Sequence, residues 1–148
     1  PEIDKLLAVT HKALYLGIEQ AQVGNRVGDI GHAIEEYVET KHHMGDVREL
    51  IGHGIGPSVH ETPDIYHYGM PHQGLRLKAG MVIPIEPMVN AGGSWEIDTK
   101  IVPETGWEYY LSGDRTLSAQ FEHTLAITND GPKILTSQDP IGDKKYLL

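Results

Sequence analysis

The sequence predicts one α+β domain, in which two amphipathic helices are followed by a region of short strands. Two observations support this fold class. Apolar residues recur at three- and four-residue intervals before residue 45, and β-branched stretches punctuated by Gly and Pro replace that pattern afterwards. A length of 148 residues is sufficient for one hydrophobic core, and 39% hydrophobic content is typical of a globular chain.

The first helix is predicted from residue 3 to about residue 22. Its apolar side chains would form one face of the helix: Ile3, Leu6, Leu7, Leu14, Ile18 and Ala21. Gly24-Asn25 ends this helix. The same spacing returns from Ile30 to Val38, which predicts a second helix ending near residues 42 to 45.

Strands are predicted at residues 81–89, 107–111 and 118–128. Asn129-Asp130-Gly131 is a strong turn signal, and Lys133-Ile134-Leu135 follows it. The last two strands should therefore form an antiparallel hairpin.

Composition excludes several classes of function. A formal net charge of −9 and a pI near 5.4 argue against direct binding to nucleic acid or to an anionic membrane, because both require a basic surface. The chain has no Cys, so it has no thiolate nucleophile, and any metal must be held by His, Asp or Glu. These features favour a cytoplasmic protein. The chain begins at Pro1 without an initiator Met, which suggests a processed terminus or a cut within a longer protein.

Two histidines follow the second helix. His53 lies among glycines in the segment 52–56, where missing Cβ atoms allow a ligand to approach closely. The alternative is a turn in which this His only caps a backbone group. His60 follows seven residues later, a spacing unlike that of a compact zinc loop, so the two imidazoles should have different roles. The alternative for His60 is a surface His beside a Glu.

Two glutamates lie inside strand-like apolar runs. Glu86 is the only charge in the segment 81–88, so it must be protonated, paired with a cation or exposed at a sheet edge. Pro84 and Pro87 favour the edge alternative. Glu122 alternates with the apolar face of its strand and should face either a polar site or solvent.

Taken together, His53, Glu86 and Glu122 suit a divalent cation such as Co, Mn, Fe or Zn. Three protein ligands with open coordination positions are typical of a catalytic site rather than a structural one.

The chain resembles the type I methionine aminopeptidases, which have the pita-bread fold. The resemblance covers nearly the whole chain and is carried by these segments: Gly52-His53-Gly54-Ile55-Gly56, His60-Glu61-Thr62-Pro63, His67-Tyr68, Leu77-Lys78-Ala79-Gly80-Met81, Ile85-Glu86-Pro87-Met88-Val89-Asn90-Ala91-Gly92, Gly106-Trp107 and residues 114–124. It implies a curved antiparallel sheet and removal of the first methionine from peptides and nascent chains at the ribosome.

The resemblance also implies roles for individual residues. His53 and Glu86 would bind one metal ion and Glu122 would bridge two, while Glu86 would relay a proton. His60 would hydrogen-bond the substrate near the scissile amide, and Trp107 would line the methionine pocket. Val59 stands where the bacterial pattern usually has an aromatic residue, so the substrate pocket should be wider or differently lined. His67 and Tyr68 match the family without an assigned role.

One departure from the family concerns the metal ligands. The family has two Asp ligands and a further substrate-contacting His in an N-terminal half that residues 1–148 do not include, and Asp4, Asp29 and Asp46 do not replace those ligands. The resemblance therefore implies that residues 1–148 are the C-terminal part of one catalytic domain. Such a part would hold at most one metal ion well and would be inactive or weakly active. It would also expose apolar surface and self-associate.

Two other functions fit parts of the pattern. One is a non-catalytic pita-bread module that binds peptides or proteins. The other is a peptidase directed at Xaa-Pro substrates, because related pita-bread enzymes share the glycine-flanked His and a metal-binding Glu. Segments 86–89 and 121–124 resemble the methionine branch instead.

Overall fold

The computed structural model describes residues 1–147. Helix α1 spans Glu2–Gln20 and helix α2 spans Val27–Glu35, followed by a π-helical turn at Glu36–Lys41. A short 3₁₀ helix at Lys144–Tyr146 lies near the end of the chain. The strands are β1 (Gly45–Asp46), β2 (Gly52–Gly54), β3 (Glu61–Ile65), β4 (Val82–Ile85), β5 (Met88–Asn90), β6 (Ile97–Val102), β7 (Trp107–Ser112), β8 (Ser118–Gln120), β9 (His123–Thr128) and β10 (Gly131–Ile134).

The structure confirms both predicted helices. Gly24 has a φ of 96°, a conformation that favours glycine, and it separates α1 from α2. Ile30, Ile34 and Val38 are fully buried, as their four-residue spacing predicts. Within the described residues, no helix is both long enough and apolar enough to span a membrane.

The strands form four small antiparallel sheets. Their orders are β1-β5-β8, β10-β9-β4, β2-β3 and β6-β7. The amide of Ile55 donates to the carbonyl of Val82 over 2.9 Å, which joins the end of β2 to β4. The predicted hairpin is confirmed, since β9 and β10 pair from Thr128 and Gly131 onward.

One hydrophobic core joins the helices to these strands. It is built mainly from aliphatic residues of α1, α2, β4 and β9, which include Leu14, Ile18, Ile30, Ile34, Ile83, Ile85, Leu125 and Ile127. Gly17 permits close packing here, because a Cβ at this position would lie 2.8 Å from Cδ1 of Ile34.

Two predicted strands prove to be interrupted. Residues 81–89 divide into β4 and β5, and residues 118–128 divide into β8 and β9. Pro87 has no amide hydrogen for a ladder, so the chain leaves one sheet and joins another at this point. Strands β1, β2, β3 and β6 were not predicted from the sequence, because their short segments are rich in Gly, Pro and charged residues.

The short strand β1 carries a fully buried carboxylate, that of Asp46. Neither of its oxygens has a hydrogen-bond partner among residues 1–147. Burial, reinforced by the negative charges of Glu39 and Glu35, raises the pKa of this carboxyl well above its usual value, although Arg48 opposes the shift. Folding therefore favours the protonated form.

We expect Asp46→Asn to stabilise the chain at pH 7, because it removes a buried charge at constant shape. The gain should be about 1–3 kcal/mol in the free energy of unfolding. Since the folded-state pKa lies above the unfolded value, the wild-type stability should fall as pH rises above about 4, whereas the variant should lose this part of the pH dependence. Urea unfolding between pH 4 and pH 8 measures both effects.

Glu104→Gln provides a control, because Glu104 is an exposed residue in the loop between β6 and β7. Its stability should match the wild type within about 0.5 kcal/mol at each pH. A lower stability of Asp46→Asn than of the wild type at pH 7 would contradict the prediction.

Candidate metal and peptide site

The candidate site lies at the junction where two antiparallel strand pairs meet. Ile85 of β4 pairs with His123 of β9, and Met88 of β5 pairs with Gln120 of β8. The β4–β9 pair and the β5–β8 pair share one register, so residues 86 and 87 lie opposite residues 122 and 121. Glu86 therefore lies opposite Glu122.

This register sets two glutamates opposite each other. Like charges directly opposite each other across a strand pair are destabilising unless a cation or a proton lies between them. Burial raises the pKa of Glu86, and the charge of Glu122 raises it further. Only 16% of the Glu86 side chain is exposed, and its strand pairs on both sides of the junction. The exposed-edge alternative for Glu86 is therefore wrong.

His53 approaches the same carboxylate from β2. Its Nδ1 lies 2.9 Å from the carbonyl oxygen of Gly54, and a carbonyl can only accept, so Nδ1 carries the hydrogen. In the neutral ring, Nε2 then presents its lone pair. Nε2 lies 3.8 Å from Oε1 of Glu86. Two lone pairs that face each other at this distance leave room for a cation, because ligand–metal bonds are about 2.0–2.2 Å long.

Glycines make this approach possible. A Cβ on Gly52 would lie 2.7 Å from the carbonyl oxygen of Pro84, and a Cβ on Gly54 would collide with the backbone of Thr62. Strands β3 and β4 therefore pack tightly against the segment that carries His53. The carbonyl contact of His53 was the alternative to a ligand role, and the structure shows that the ring can make that contact while leaving Nε2 open.

Of the substrate residues predicted from sequence, His60 lies directly beside this centre. The ring of His60 lies against that of His53, with centroids 4.2 Å apart and the ring planes tilted by 46°. Val59 and Trp107 are exposed, by 70% and 69%. Trp107 lines a cleft of about 450 Å³ together with Gln120. The amide of Gln120 donates to Oε2 of Glu86 over 3.1 Å, so one residue that lines the cleft contacts the Glu86 carboxylate.

Two residues that contact Glu86 were not predicted as site residues. Gln120 binds its carboxylate, and a period-two pattern places Gln120 on the same side of its strand as Glu122, which is a signal in the sequence. His67 accepts a hydrogen bond from the Glu86 amide over 3.2 Å. Burial lowers the pKa of His67 to about 4. His67-Tyr68 was among the segments that carried the resemblance, but its contact with Glu86 depends on a loop that returns from β3, and nothing in the sequence indicated that contact.

The donors fit a divalent cation in chemistry, and two of the three converge. In residues 1–147, no group of three or more His, Cys, Asp or Glu side chains is close enough to hold a metal ion. His53 and Glu86 are within reach of one ion, whereas the exposed side chain of Glu122 would have to turn toward them. An imidazole with carboxylates at a cleft is the donor set of metal-dependent hydrolases.

Comparison with known proteins establishes the family. The model of metallopeptidase family M24 matches residues 1–129, so the chain belongs to this family. Methionine aminopeptidase 1 of Bacillus subtilis is 47% identical over 132 residues, which are 89% of this chain and 51% of that protein. The methionine aminopeptidase of Rickettsia prowazekii is 46% identical, with 89% and 49% covered. The chain thus spans about half the length of the curated relatives it matches.

Solved structures give the same result for the fold. The crystal structure of the Rickettsia prowazekii enzyme matches with a TM-score of 0.81 and 45% identity, covering 90% of this chain and 52% of that one. An X-Pro aminopeptidase from Thermotoga maritima matches with a TM-score of 0.64 and 20% identity, covering 93% and 32%, which shows the shared fold alone. The predicted pita-bread fold is confirmed, and the Xaa-Pro alternative is not favoured. Membership of a metallopeptidase family also implies dependence on a divalent metal.

Proposed function

We propose that the protein to which this chain belongs removes N-terminal methionine from nascent proteins and peptides by metal-dependent hydrolysis. The observation that carries this proposal is the placement of Glu86 opposite Glu122, with Nε2 of His53 3.8 Å from Glu86. The substrate is proposed from relatives named methionine aminopeptidase, which are 47% and 46% identical to this chain.

Residues 1–148 are proposed to form the C-terminal part of one catalytic domain. The chain covers 51% of the Bacillus subtilis relative and 51% of the Synechocystis relative, which supports a domain about twice as long. The remaining half would supply the two Asp ligands that the resemblance implies. Alone, this chain would hold at most one ion well, and its hydrolytic activity would be weak or absent.

The roles of the residues follow from their positions. His53 and Glu86 would hold a cation of Co, Mn, Fe or Zn, and Glu122 would complete or bridge the site. When bound, the cation supplies Lewis acidity and lowers the pKa of water. Glu86 would also accept a proton and pass it to the leaving amine, as the resemblance implies.

Substrate contacts are proposed for three further residues. His60 is exposed beside His53 and can donate a hydrogen bond to the carbonyl of the scissile amide. Trp107 would form an apolar wall of the methionine pocket, and Val59 would leave that pocket wider than an aromatic residue would. Both side chains are exposed in this chain and would be covered by the bound peptide.

The direct test is release of methionine from a Met-Ala peptide in the presence of Mn²⁺ or Co²⁺. We expect little release by this chain alone. Release should appear when the N-terminal half of the Bacillus subtilis relative is added as a separate polypeptide that co-elutes with the chain. Glu86→Gln should remain inactive in the same mixture. An Ala-Pro peptide should be a poorer substrate than Met-Ala.

Two results would contradict the proposal. One is a co-eluting, metal-loaded mixture that releases no methionine. The other is equal release by the Glu86→Gln mixture. Binding of intact peptides without any metal would instead support a non-catalytic module.

Location and assembly are also proposed. The protein is proposed to act in the cytoplasm, a compartment where disulfides are rare and with which a chain without Cys is compatible, and to meet nascent chains at the ribosome. Self-association of the chain is proposed from apolar side chains exposed on and near β6 and β7, such as Ile101 at 58% and Leu117 at 48%. Sedimentation equilibrium over a range of concentrations tests this assembly.

A further inference from the structure

Glu86 makes three polar contacts with other residues, two through its carboxylate and one through its backbone amide. Its carboxylate oxygens meet Gln120 and His53, at 3.1 Å and 3.8 Å. Its backbone amide lies at the junction between β4 and β5, where it donates a hydrogen bond to Nε2 of His67 over 3.2 Å. This third contact fixes the main chain at the point where the chain passes from one sheet to another.

The hydrogen bond defines the state of the His67 ring. Nε2 accepts, so it carries no hydrogen, and the neutral ring must be protonated at Nδ1. A charged imidazolium has hydrogens on both nitrogens and could not accept from the Glu86 amide. The side chain is completely buried, which also favours the neutral ring.

The same arrangement is unfavourable for the other ring nitrogen of His67. Nδ1 is buried and has no hydrogen-bond partner in the described part of the chain. An apolar side chain of similar size would remove that unsatisfied donor, but it would leave the Glu86 amide without an acceptor. His67 therefore differs from a core aliphatic residue because its Nε2 accepts a hydrogen bond from the Glu86 amide.

We propose that His67 is a positioning residue, which holds the main chain of Glu86 so that its carboxylate faces His53 and Glu122. The inference deepens the proposed function, because the orientation of a ligand is what gives the site its affinity for a cation. Outer partners that orient metal ligands typically change metal affinity about 10–100-fold when they are removed. His67 itself does not touch the substrate or the cation.

Two variants distinguish the effect of losing the hydrogen-bond acceptor from the effect of losing the volume of the ring. His67→Leu removes the acceptor, whereas His67→Gln can place a carbonyl oxygen near the position of Nε2. Ile30→Val is the matched control, because it removes one methyl group from a fully buried residue of α2 and so loosens the core without changing the acceptor of the Glu86 amide. The urea midpoint of each variant reports its stability.

The first measurement uses the metal-free chain. Hydrogen exchange by NMR should show a protected Glu86 amide in the wild type, in His67→Gln and in Ile30→Val. In His67→Leu, exchange at this amide should be at least tenfold faster relative to the neighbouring Ile85 amide. Unchanged protection of Glu86 in His67→Leu would overturn the inference, whether or not the chain binds metal.

The second measurement is the affinity for Mn²⁺ by calorimetry. His67→Leu should bind about tenfold more weakly than the wild type, and His67→Gln and Ile30→Val should bind within about threefold of it. Equal weakening of His67→Leu and Ile30→Val, or wild-type affinity in His67→Leu, would overturn the inference. Absence of Mn²⁺ binding by the wild-type chain would count against the proposed function instead, and the exchange result would still decide whether His67 holds Glu86.

Discussion

Replacing Glu86 with glutamine should have two opposite effects on stability. With a chelator present, Glu86→Gln should be more stable than the wild type at pH 7, because it removes a largely buried charge that lies opposite Glu122. With Mn²⁺ present the order should reverse. The wild type alone would gain the free energy of metal binding, which is about 2.7 kcal/mol when the ion is at 100 times its dissociation constant.

Thermal unfolding with and without Mn²⁺ measures both effects. A gain of this size corresponds to a rise in Tm of roughly 5–10 °C for a domain of this length. Glu49→Gln is the matched control, because Glu49 is an exposed glutamate in the loop before His53. It should behave as the wild type under both conditions. An equal Mn²⁺-induced rise in Glu86→Gln would exclude Glu86 as a ligand.

The second large effect is expected for Gly54→Ala. A Cβ at this position would overlap the carbonyl oxygen of Thr62 and would lie 2.7 Å from its carbonyl carbon. Both atoms belong to the backbone of β3, so they cannot move away independently of the strand. Strand β3 must shift away from β2, which carries His53. We expect a loss of about 1–3 kcal/mol in the free energy of unfolding.

The same shift should weaken metal binding, because His53 would no longer face Glu86 correctly. The loss in Mn²⁺ affinity should be about tenfold or more. Gly93→Ala is a suitable control, since the nearest atom to its new Cβ would be the carbonyl oxygen of His43 at 3.9 Å, an ordinary contact. Urea unfolding and calorimetry compare the two variants. If Gly54→Ala and Gly93→Ala lost equal stability and affinity, steric exclusion at β3 would not be the cause.

The differences between predicted and observed strands have a common physical origin. Segment 81–89 has the composition of one strand, yet its hydrogen bonds pass from β9 to β8 at Glu86 and Pro87. The sequence shows that Pro87 cannot donate to a ladder, but it does not show which partner strand lies on each side. Pairing between residues far apart in the chain depends on the whole fold.

The site residues also divide into those that the sequence indicated and those that only the fold revealed. His53, Glu86 and Glu122 were identified by residue type and context, and the structure brings His53 to Glu86 and sets Glu122 opposite. Their roles as ligands remain proposals. The buried carboxylate of Asp46 was not anticipated, because its burial depends on the packing of β1 beneath helix residues such as Glu35 and Glu39.

The sequence by itself determined the two amphipathic helices, the turn at residues 129–131 and the resemblance to type I methionine aminopeptidases. These features depend on periodicity and on short motifs, which are properties of neighbouring residues. Only the tertiary structure decided that Glu86 lies opposite Glu122 at a junction between sheets and that His67 accepts a hydrogen bond from the Glu86 amide. Both contacts depend on strand register and loop closure between distant segments, which local patterns do not encode.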